Sequence, residues 1–173
     1  MTVSIAKKDY NYHIWASNRV WDRIQELPEE VYTQEMKSVF PTVVSVLTHL
    51  YITDAMYLKV LNKVNFQEIV SFVEQLKVET TAISAAELRS RSDELASDYF
   101  HFLESYEDLN AKFVLSHPHF GQLDSTLAEV IKHVVNHGTY HRGNISAMLH
   151  QLGFSGASTD YIFYAYEVGQ TVR

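Results

Sequence analysis

His137 and His141 stand one helical turn apart in the segment Ile131-Lys-His-Val-Val-Asn-His-Gly-Thr-Tyr-His-Arg-Gly-Asn-Ile145. On a helix, residues four apart share a face, with Cβ atoms about 6 Å apart. Two neutral imidazoles so placed can bind one metal ion. His133 continues the series, so spacing alone offers two pairs, His133 with His137 and His137 with His141. Each step drifts by about 40° around a helix of about 3.6 residues per turn. The stripe borders an apolar face marked by Val134, Ile145 and Met148. Imidazoles buried there need partners, which either hydrogen bonds or a metal can supply.

His49 is the natural third ligand. It lies among Val46, Leu47 and Leu50 on another helical stretch and can point inward. Helical bundles build metal sites from side chains on facing helices. Three protein ligands plus water form the open arrangement of a catalytic site, not a closed structural one. The chain has no cysteine, so ligands are confined to His, carboxylate and water. Disulfides and a cysteine nucleophile are excluded with it. Imidazole suits Zn, Ni, Cu or Fe, and Zn or Ni is the expectation. Asp54, five residues past His49, falls about 140° around the helix and is not assigned as a ligand. His13, His101 and His150 read as structural or surface residues. His117 and His119 flank a proline in a loop and are not assigned to metal.

Apolar spacing then gives the elements that must carry these residues. A first helix runs from about Ile5 to Leu27, stopped by Pro28. A second starts near Pro41 and ends near Leu61. Between Asn62 and Thr81, Phe66, Ile69, Val70, Val73 and Leu76 predict a short helix in a connector. A third long helix begins near Ser84, with Glu87 completing a capping box, and reaches about Tyr106. Asn110 to Gln122 reads as irregular, with Lys112 to Leu115 a candidate extended piece and His117 to Gly121 a turn. The fourth long helix starts at Thr126 with Glu129 as its capping box and stops at Gly153. Thr159 to Tyr166 is aromatic and predicts one more short helix. Four long helices argue for an all-α four-helix bundle with short additional helices. Gly138 and Gly143 each cost about 1 kcal/mol inside a helix, which close helix approach or room beside a metal would explain.

The 173 residues favour one domain spanning 1–173. Hydrophobic residues at 46% and charged residues at 20% describe an ordinary globular chain. A net charge of -7 with scattered Lys and Arg argues against nucleic-acid binding. No apolar stretch reaches the roughly 18 residues needed to span a bilayer, and Met1 to Asp9 is not a basic-then-apolar leader. The expectation is a cytoplasmic protein with no membrane partner.

The segment His133-Val-Val-Asn-His137-Gly-Thr-Tyr-His141-Arg-Gly-Asn144 resembles the signature helix of the DinB family of four-helix-bundle proteins (the DinB/YfiT-like superfamily). Tyr12-x-x-Trp15-Ala16 and Leu47-Thr-His49-Leu50 resemble its first and second helices, so the likeness covers nearly the whole chain. The resemblance selects His137 and His141 over His133 and adds His49, leaving His133 as a neighbour that lines the pocket. Asn144 departs from the family's common Gln and would alter a hydrogen bond behind a ligand. The wider superfamily includes metal-dependent enzymes that use low-molecular-weight thiols. The resemblance therefore implies a divalent-metal site whose open position takes water or a thiol, with S-transfer of a bacillithiol-type thiol to small electrophiles. The alternative it leaves is a non-catalytic metal-binding stress-response protein. Tyr140, Arg142 and Trp15 could line the pocket. A homodimer is implied by the resemblance, and the aromatic run Tyr161 to Tyr166 could serve it or pack on its own bundle.

Overall fold

A computed structural model describes residues 4–171. Among the described residues there are seven helices and one two-stranded sheet. In chain order these are α1 (Ile5–Gln25), α2 (Glu29–Thr33), α3 (Val43–Leu61), α4 (Phe66–Glu79), α5 (Ala85–Glu104), β1 (Lys112–His117), β2 (Gly121–Thr126), α6 (Leu127–Gln151) and α7 (Tyr161–Thr171). Met1 to Val3, the start of the segment read for a leader, lie outside the described residues.

The four long helices close a ring: α1 packs on α6, α6 on α3, α3 on α5 and α5 on α1. The helix bearing the histidine pair therefore lies between the two helices that carry His13 and His49. The caps explain where it begins and ends. Thr126 accepts the Glu129 amide N–H, and the Glu129 carboxylate accepts the Thr126 N–H. Two otherwise unpaired donors are satisfied reciprocally. At the other end Gly153 takes a left-handed φ of 85°, and the Phe154 and Gly153 N–H groups bond back to Leu149 and His150. That pattern satisfies the last carbonyls and stops the helix. Helix α3 ends on the same pattern, with Lys63 in the left-handed position at φ 58°.

Several expectations need correction. Helix α3 begins after Pro41, because Thr42 caps it through a capping box with Ser45. At Ser84 the box is half-made: Ser84 accepts the Glu87 N–H, but the Glu87 carboxylate pairs with Arg91 instead. The stretch expected to be irregular is a hairpin, pairing Lys112 with Thr126 through His117 with Gly121. Helix α2 has no buried residue and gave no apolar period to read. Helix α7 packs on α1 through Tyr164, which meets Tyr12 and Trp15, while Ile162, Phe163 and Tyr166 face outward. No helix is long and apolar enough to cross a membrane.

The buried apolar side chains form two clusters. One joins Tyr10, Tyr99, Leu103 and the start of α6 from Leu127 to Val135. The other joins Val20, Ile24, Val43, Leu47 and the end of α6 at Ile145, Met148 and Leu149. The part of α6 between them, residues 136–144, carries His137, His141 and Arg142.

Candidate metal centre

The structure brings His49, His137 and His141 together, with one nitrogen of each ring within 4.8 Å of the others. His49 Nε2 lies 3.2 Å from His137 Nε2. The ring centroids of His137 and His141 are 4.4 Å apart, and those of His49 and His141 are 4.6 Å apart. Nitrogens bound tetrahedrally at about 2.0–2.1 Å from one ion lie about 3.3–3.4 Å from each other. The His49–His137 pair is already near that spacing.

Burial lowers the pKa of all three rings. His49 and His141 are shifted down chiefly by loss of solvation. His137 is lowered to about 4, by burial first and by the neighbouring His141 second. The rings are therefore neutral at pH 7, the form in which imidazole donates to a metal. Two neutral imidazole nitrogens 3.2 Å apart can share at most one proton. The set is rich in lone pairs and poor in protons, and a divalent cation fits it.

Asn144 lies behind the centre, its amide 3.3 Å from His141 Nδ1. With the amide oriented to present its oxygen, it would accept the Nδ1 proton and leave Nε2 free to ligate. His137 Nδ1 is buried without a partner. Phe40 covers one side, its ring 5.1 Å from His49 and 5.4 Å from His141. The exposed Tyr140 stands edge-on to His141 at 5.0 Å. His133 is exposed, stacks at 6.1 Å on His137 and meets Tyr57 at 4.6 Å. It lies beside the three-histidine group and outside it.

Of the side chains expected at the pocket, Tyr140 is there and two are not. Arg142 turns the other way, into α1, where its Nη1 reaches His13 Nδ1 and Ser17 Oγ, both at 3.3 Å. Adjacent residues on a helix point about 100° apart, so the position after a ligand faces a different neighbour. Trp15 donates its ring N–H to Glu167 on α7. Phe40 was not singled out from the sequence; it lies in the loop before α3, where no periodicity marks it. Asp54 is outside the group, as its angle from His49 requires, and pairs with His13 at 3.1 Å. His117 ends β1 and His119 sits in the hairpin turn.

A ring of four long helices with three clustered, uncharged histidines on α3 and α6 defines a helical-bundle protein with a candidate metal centre. The family model described as "DinB family" matches residues 1–171, and the chain belongs to that family. It is similar to "Protein DinB" of Bacillus subtilis (strain 168), at 40% identity over 161 residues, which span 93% of this chain and 94% of that protein.

Proposed function

We propose that His49, His137 and His141 hold one divalent metal ion, Zn or Ni, and leave a coordination position open to a small molecule. The observation that supports this reading is the approach of three neutral ring nitrogens to within 4.8 Å, from two different helices. Phe40 and Tyr140 give the surroundings an aromatic rim suited to an uncharged or apolar ligand body.

Such an ion would supply positive charge that favours the deprotonated sulfur of a low-molecular-weight thiol. The reaction proposed is S-transfer. The thiol sulfur forms a bond to an electrophilic carbon, the bond from that carbon to its leaving group breaks, and the thiol proton departs with the leaving group. The histidines position the sulfur, and the aromatic rim excludes water from one side. The chain's lack of cysteine is consistent with a thiol supplied from outside.

Metal content of untagged protein, measured by mass spectrometry beside the triple variant His49→Ala, His137→Ala, His141→Ala, tests the centre. About one divalent ion per chain, lost in the variant, is the expected result; none in either after soaking with Zn or Ni overturns it. Metal-loaded protein is then assayed with a thiol and a chlorinated aromatic electrophile. A rate no higher than that of metal-free protein would leave metal binding without transfer.

A further inference from the structure

A second polar cluster lies against the same helices, and every member is buried or nearly so. Arg142 and His13 are each 3% exposed, and Asp54 is 14% exposed at its side chain. Arg142 Nη1 meets His13 Nδ1 at 3.3 Å, and His13 Nε2 meets Asp54 Oδ2 at 3.1 Å. A guanidinium can only donate, so His13 Nδ1 accepts. The ring proton then sits on Nε2 and is donated to the carboxylate. The imidazole bridges a buried cation to a buried anion, with its tautomer set by Arg142. Further contacts fix the two ends. Arg142 Nη2 donates to Thr139, and Tyr99 donates to the Asp54 backbone carbonyl.

The placement of these residues matters. Asp54 is on α3, five residues past His49, and Arg142 directly follows His141 on α6. The His13 ring packs against α6 at Gly138, the residue after His137. A Cβ added at Gly138 would clash with Cε1 and Nδ1 of the His13 ring and lie 2.8 Å from Arg142 Nη1. Helices α3 and α6, which carry the three metal-site histidines, are thus tied a second time, through α1. The geometry points to His13 as a positioning residue: with Asp54 and Arg142 it holds His49 against His137 and His141 before any ion arrives. This rests on the metal reading above.

The test uses Co(II), whose visible bands report ligand geometry, in the full-length protein and three variants. His13→Leu removes both hydrogen bonds. His13→Gln keeps an acceptor for Arg142 and a donor for Asp54. Gly138→Ala displaces the His13 ring while retaining every charge. We expect His13→Leu and Gly138→Ala to weaken Co(II) binding by about 10-fold or more, the scale of lost support behind a metal ligand. Their visible bands should shift as well, and His13→Gln should restore both affinity and bands. Wild-type affinity and bands in a folded His13→Leu overturn the proposal, as does a His13→Gln no better than His13→Leu. If His13→Leu does not fold, Gly138→Ala decides. Should the wild type take up no Co(II), the metal reading has failed, and positioning is judged on metal-free protein. There, nuclear Overhauser contacts between the His49 and His137 rings should be present in wild type and His13→Gln. They should be lost in His13→Leu; their persistence there overturns the proposal.

Discussion

The two polar clusters on α6 are built from similar parts and solve opposite problems. In one, Arg142, His13 and Asp54 alternate donor and acceptor, so the cation, the neutral ring and the anion answer each other. In the other, His49, His137 and His141 are three rings of one kind, all held neutral by burial. The complementary groups pair through His13, although Asp54 Oδ1 and Arg142 Nε are buried without a partner. The three histidines are identical lone-pair donors, of which His49 and His137 share one close contact and His137 Nδ1 has no partner. The difference separates a cluster whose charges are matched within the fold from one that offers three ring nitrogens of a single kind, although both meet the stretch of α6 between the two apolar clusters.

Breaking the cluster around His13 should lower the stability of the metal-free fold. Arg142→Met removes the buried cation and leaves His13 Nδ1 without its donor. A buried acceptor left unsatisfied costs about 1–3 kcal/mol. Urea denaturation of the metal-free variant should show a loss of that size, and a loss under about 1 kcal/mol would show that the cluster contributes little.

On the proposed metal reading, the three-histidine cluster should respond to metal instead. An ion bound only by the folded state, at a free concentration about 100 times its dissociation constant, adds about 2.7 kcal/mol. Thermal unfolding with and without Zn should therefore separate clearly in the wild type. In His137→Gln the two curves should coincide, and a retained shift would place the ion elsewhere.

Acid should sharpen the contrast further. The ring of His137 titrates near 4 in the folded chain, against about 6.5 when unfolded. The unfolded chain therefore binds more protons between those values. The stability contributed by keeping the ring neutral is complete above about pH 6.5 and lost as pH falls toward 4. His49 and His141, lowered by the same cause, act in the same direction. Urea midpoints of metal-free protein should fall over this window, and less steeply in His137→Gln.

The smallest effect expected is a gain. Gly138 is held by close approach of the His13 ring, but a Cβ at Gly143 would meet nothing within 4 Å. Nothing in the structure explains glycine there. Gly143→Ala should stabilise α6 by up to about 1 kcal/mol, seen as a small rise in melting temperature. Gly138→Ala should destabilise.

What the sequence showed and what it hid follow the same division. Helix α6 was legible because its caps and apolar stripe are local, and the spacing of His137 and His141 is a property of one helix. His49 needed the assumption that two helices face each other. His13 read as an ordinary structural or surface residue, because its partners lie 41 and 129 positions away in the chain. Its one local sign was indirect, a glycine in a helix interior that turns out to make room for it. In the hairpin, Lys112 to Leu115 read as extended and His117 to Gly121 as a turn, but the second strand and the pairing were missed for another reason. Of its strand residues only Phe113 is buried, so burial imposes almost no alternation on the sequence. Phe40 sits in a loop, where no period exists to reveal which way a side chain faces.

The separation of the candidate ligands along the chain also sets an order of events during synthesis. His49 precedes His137 by 88 residues. At about 5–20 residues added per second, roughly 4–18 s pass between the two. Through that interval the nascent chain carries His49 without the two rings that cluster with it, and an α1 without its main packing partner. The three-histidine cluster therefore cannot form until α6 has been made.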